Sequence, residues 1–90
     1  MIVHYVVMDA EFELGASIEA MEEKHNISIV NVTKFEIQLC KNKGEQYRGP
    51  SVYMFIGDWT NLVNYFIWDY VLDDIEELQE LVQSIKCIEI

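Results

Sequence analysis

The sequence predicts an α+β domain of the ferredoxin-like kind, a βαββαβ sandwich whose four-stranded antiparallel sheet carries two helices on one face. Three observations lead there. Apolar residues change from strand spacing to helix spacing and back in the order β, α, β, β, α, β along the chain. The first and third strand segments, IVHYVVM and SVYMFI, are apolar on both faces, as strands inside a sheet are. The second and fourth, ISIVNVTKFEIQLC and KCIEI, alternate and carry Lys34, Glu36 and Glu89, which suits sheet edges.

Each element has its own local reason. Residues 2–8 form a β-branched and aromatic run, the mark of a strand. Leu14, Ile18 and Met21 then recur at helical spacing, with Glu19, Glu22, Glu23 and Lys24 off that face, so residues 11–25 are predicted helical. Asn26 suits a left-handed stop. In residues 27–40, Ile27, Ile29, Phe35, Ile37 and Leu39 share one parity and Ser28, Lys34, Glu36 and Gln38 the other, which predicts one long strand. KNKGEQYRGP is a polar loop, and its Lys41, Lys43 and Arg48 are read as solubilising charges. After a cap at Asp58 or Thr60, helix is predicted to about Ser84, and residues 86–90 close as a strand with Ile88 and Ile90 inward.

With 90 residues, 51% of them apolar, the chain is predicted to build a core without staples, as one compact domain over residues 1–90. Cys40 and Cys87 fit neither a metal spacing nor a disulfide framework. They are predicted to be reduced and far apart, in a cytoplasmic setting. The opening MIVHYVVMDAEF has no basic flank, so neither a leader nor a membrane span is predicted.

The net charge of −10 excludes nucleic acid and anionic membranes as partners and favours a basic protein surface. His4 and His25 stand in no catalytic spacing, no phosphate-cradling glycine pattern occurs, and no calcium-loop spacing surrounds Asp73 and Asp74. No enzyme activity, cofactor or metal is predicted. Tyr5, Tyr53 and Phe55 are a base-stacking set if they share the open sheet face, but the charge balance argues against that use.

The most informative stretch is NYFIWDYVLDDIEELQELV, residues 64–82. On one helix, Ile67, Val71, Ile75, Leu78, Val82 and Ile85 fall on the core side. Asp69, Asp73, Glu76 and Glu80 form the opposite stripe, with Asp74 and Glu77 on its flank. No Lys or Arg lies between Arg48 and Lys86, so no i,i+4 partner offsets these acids. Leu62, Tyr65 and Phe66 break the pattern, because they project towards the acidic stripe. Either the helix breaks near Tyr70 to Asp73 and its first part packs differently, or an apolar patch stands exposed beside the carboxylates.

These nine residues, Asp69, Asp73, Asp74, Glu76, Glu77, Glu80, Leu62, Tyr65 and Phe66, are the predicted partner-binding set. The function they imply is a small acidic protein-interaction module, an inhibitor that imitates the charge of nucleic acid to block a basic groove, as phage-encoded antagonists of host defence do. The alternative is a homo-oligomeric regulatory or ligand-binding domain, in which a second copy covers the open sheet face where Val3, Tyr5 and Val7, or their opposite-parity neighbours, meet solvent.

Overall fold

The computed structural model describes residues 2–10, 18–70 and 74–89. Within them lie four strands and four helices: β1 (Ile2–Asp9), α1 (Ile18–His25), β2 (Ile27–Asn31), α2 (Thr33–Asn42), β3 (Val52–Gly57), α3 (Trp59–Trp68), α4 (Ile75–Ser84) and β4 (Lys86–Glu89). The strands make one antiparallel sheet in the order β2-β3-β1-β4. The doubly apolar β1 and β3 take the two inner places. The protein is thus an α+β domain with a four-stranded antiparallel sheet, but its four helices depart from the two of the predicted βαββαβ sandwich.

One face of the sheet holds the core. Val6 stands opposite Phe55, and Phe55 opposite Ile29, so these three side chains share a face. Leu62, Tyr65 and Phe66 of α3 close over them. Phe55 and Leu62 are 0% exposed, Phe66 1% and Tyr65 2%. The rings meet at 5.4 Å for Phe55 with each of Tyr65 and Phe66, and at 5.2 Å for Tyr65 with Phe66, inside the favourable range for aromatic pairs. Burial, then the neighbouring Tyr70 and Asp69, pushes the Tyr65 hydroxyl up to about 12. Gly57 belongs to the same face, opposite Ile27; a Cβ there would stand 3.0 Å from the Ile27 side chain, so glycine lets Ile27 settle into the core.

Two predicted elements are corrected. Residues 27–40 are not one strand: β2 ends at Asn31 and α2 begins at Thr33. The Asn31 side chain accepts hydrogen bonds from the Thr33 backbone N–H at 3.0 Å and from its hydroxyl at 2.6 Å, a local turn that competes with the ladder. The Val52 N–H donates to the Thr33 hydroxyl instead of to a strand carbonyl. Lys, Glu, Gln and Leu then favour helix, and Thr33, Glu36 and Cys40 form its half-buried side. Phe35, predicted inward, is 71% exposed. Gly44, at φ +76°, ends α2 in the left-handed region that glycine enters without steric cost; its N–H donates to the Lys41 carbonyl, and that of Glu45 to the Cys40 carbonyl.

The long second helix is also two. The Asp69 and Tyr70 N–H groups both donate to the Tyr65 carbonyl, and the Asp74 carboxylate caps α4 by accepting from the Glu76 N–H at 2.9 Å. Of the two readings left open, the break with separate packing is the structure found. Two smaller expectations are met: Asn26 has φ +53°, and Asp58 caps α3 by accepting from the Thr60 N–H. Ile88 is not inward; it lies on the open sheet face and is 50% exposed. Leu14, Asp73 and Ile90 lie outside the described residues.

Candidate functional site

α1, α3 and α4 form a layer over the core face, through Ile18, Met21, Leu78, Leu81 and Ile85 as well as the α3 side chains. Lys24 is the one Lys or Arg on these three helices, against Glu19, Glu22 and Glu23 on α1 and Glu76, Glu77 and Glu80 on α4. Even that cation is engaged. Its ammonium lies 3.0 Å from an oxygen of Asp69, and His25 Nε2 hydrogen-bonds the same oxygen.

Asp69 therefore does not belong to a free acidic stripe. It follows the last turn of α3, where a negative charge opposes the helix dipole, whereas Lys24 and His25 end α1, where positive charge is favourable. Their meeting relieves the first term and ties the C-terminal ends of two helices together. The hydrogen bond from His25, then that from Lys24, holds the Asp69 carboxyl below the usual carboxylate range. Edge-on contact of His25 with Tyr65 at 5.4 Å joins the pair to the aromatic core.

The other predicted site residues separate by burial. Asp74 is the α4 cap, Asp73 is outside the described residues, and Glu76, Glu77 and Glu80 are exposed on α4. Among the described residues none of these three glutamates has a cation within ion-pair distance. Leu62, Tyr65 and Phe66 are corrected outright. As an exposed patch they fail, because they are the buried i, i+3, i+4 stripe of α3. A side chain sealed in the core meets no partner.

Other large apolar residues of α3 and α4 are exposed instead. Trp68, at the end of α3, is 74% exposed, and Ile75, at the start of α4, is 72% exposed. Ile67, one residue past the buried Phe66, is exposed as well, and so is Trp59 at the start of α3. Ile75 thus stands exposed next to Glu76 and Glu77 at the start of α4, and Trp68 is exposed at the end of the helix before it. Sequence reasoning assigned Ile67 and Ile75 to the core, since it carried one helical phase through the break. Asp74-Ile-Glu-Glu77 is itself a helix-start pattern, a cap followed three residues on by Glu, a signal for the break that sequence reasoning did not use.

At the opposite face, Val7, Asp9, Glu36, Tyr47 and Val52 line a shallow cleft of about 360 Å³. The described residues gather no group of three or more His, Cys, Asp or Glu suited to hold a metal ion. Cys40 and Cys87 are free thiols on α2 and β4. Tyr5 lies on the open sheet face but Tyr53 and Phe55 point to the core side, so the three do not form a stacking platform. No helix among the described residues is long and apolar enough to cross a membrane. Compared with family models, with curated proteins and with solved structures, the chain matches none of them.

Proposed function

We propose that the protein is a non-enzymatic, cytoplasmic interaction module that presents the carboxylates of α4 to a basic surface of a partner protein, and that it blocks a groove where nucleic acid otherwise binds. The observation that carries this reading is the exposed acidic run of α4, Glu76, Glu77 and Glu80, with Ile75 exposed next to it in the same helix and Trp68 exposed at the end of α3. Unpaired carboxylates steer a basic partner, and an exposed Trp is the residue type that most often anchors an interface. Helix-start chemistry accounts for Glu76 and Glu77, which lie in the first turn of α4 where negative charge is favourable, but it does not account for Glu80. Glu76 and Glu80 are like charges at i,i+4, which costs α4 a few tenths of a kcal/mol. The finer description of the fold as a ferredoxin-like sandwich, with α2 and the α3–α4 break as departures from it, belongs to the same proposal and rests on the inner placement of β1 and β3.

Affinity capture from host lysate, at low and at high salt, tests the reading with three baits: wild type, the triple reversal of Glu76, Glu77 and Glu80 to Lys, and Trp68→Ala. The expected partner is a nucleic-acid-binding protein that is released by salt, competed by nucleic acid, lost with the triple reversal and weakened by Trp68→Ala. A partner that stays bound to the triple reversal at physiological salt refutes the reading.

A further inference from the structure

The strand registers define what the helices leave uncovered. Val30, Met54 and Val7 form one row across β2, β3 and β1. Ser28, Ile56, Tyr5 and Lys86 form the next, Val3 and Ile88 stand beyond it, and Asp9 with Val52 lies on the other side of the first row. In this largely apolar field Val7 and Ile88 are each 50% exposed and Val30 is 42% exposed. Contiguous exposed apolar area of this kind marks an interaction surface.

We infer that a second copy of this chain covers this face, the two sheets stacking face to face with their helix layers outward. Charge selects the occupant. The chain carries −10, and most surfaces on which two copies can meet would press carboxylates together. The open face is the exception. Its central rows carry Lys86 as their one charge, and the carboxylates on this side, Asp9 and Glu36, lie at its rim beside Val52. Residues 33–48, which include α2 at its border, hold four bases (Lys34, Lys41, Lys43, Arg48) against two acids (Glu36, Glu45). Stacking there separates the two acidic helix layers by roughly 30 Å, from sheet spacing and helix diameter, which is several Debye lengths at physiological salt.

Area sets the strength. Four strands about 4.8 Å apart and about five residues long project roughly 300 Å², well below the ~800 Å² per partner of a stable interface. α2 borders the same face, since Glu36 shares the cleft with Val7 and Val52, and it exposes Phe35, Ile37 and Leu39. The dimer therefore extends over α2 and dissociates in the micromolar range.

Sedimentation velocity across the micromolar range, at low and high salt, is the test. Wild type is expected to dimerise reversibly and to hold or tighten as salt rises. Val7→Lys and Ile88→Lys each weaken the dimer roughly tenfold or more, through burial of an unpaired charge. Both sites are already half exposed, and an unchanged unfolding midpoint at a concentration where each variant is monomeric shows that the fold survives. Val30→Thr, nearly the same in shape, gives a smaller loss and serves if a lysine variant fails to fold. Wild type that remains monomeric overturns the inference. So does a dimer that persists in the face variants, or one that Trp68→Lys dissolves.

Discussion

Asp69 shows how a single residue changes meaning between sequence and structure. As a letter it is one more acid in an acidic run; in the fold it is the group that Lys24 and His25 close upon. Its depressed titration fixes the direction of a pH effect. A carboxyl bound less readily by protons in the folded state adds stability above its unfolded value of about 3.9, and that stability is lost as pH falls through the folded value. Asp69→Asn is expected to lower stability by about 1 kcal/mol near neutral pH, the order of a charge-assisted hydrogen bond in a partly exposed site. The difference from wild type should shrink in acid, where both carry a neutral side chain. Urea unfolding of the two proteins at neutral and acidic pH measures both quantities. A difference that grows in acid contradicts the assigned role.

At the scale of elements, legibility followed burial. β1 and β3 were readable because strands covered on both sides have no room for polar residues, and Val6 and Phe55 sit where that logic puts them. α2 was misread because period-two alternation at Phe35, Ile37 and Leu39 resembles an edge strand, while the deciding group is the Asn31 side chain that stops the ladder. In the α3–α4 stretch the period was right and the phase was not. Leu62 and Leu78 both face the core, yet sixteen residues of unbroken helix would set them about 160° apart. Only a break lets both point inward. The pair Phe66 and Ile67 tests the phase of α3 directly, since the continuous-helix reading buries Ile67 and exposes Phe66. The structure predicts that Phe66→Ala costs about 3–5 kcal/mol and that Ile67→Ala costs under about 1 kcal/mol. Chemical denaturation of the two variants decides between the phases, and a reversed order of costs restores the single helix.

The whole molecule is electrically lopsided, with an acidic helix layer on one side of the sheet and a mildly basic α2 and loop on the other. The candidate site lay within reach of the sequence in its charge, because the absence of Lys and Arg from residues 49–85 needs no coordinates. Its apolar half did not, because exposure of Trp68 and Ile75 follows from where the break falls. The lopsidedness has a thermodynamic consequence that reaches beyond any one pair. With Lys24 committed to Asp69, the repulsion among Glu19, Glu22 and Glu23 on α1 and Glu76, Glu77 and Glu80 on α4 acts against the packing of α1, α3 and α4. Salt screens exposed like charges more effectively than it screens the part-buried contact of His25 with Asp69. Raising ionic strength from a few millimolar to physiological levels is therefore expected to raise the urea midpoint of the monomer. Face variants such as Val7→Lys, unfolded at a concentration that excludes association, separate this effect from dimerisation. The triple reversal of Glu76, Glu77 and Glu80 to Lys brings the net charge from −10 to −4, six units less negative for three acids replaced by bases. Its midpoint should start higher at low salt and respond less to added salt. A wild-type midpoint that falls with salt would mean that ion pairs, rather than unpaired carboxylates, dominate the helix layer, and would remove the electrostatic basis for a basic partner.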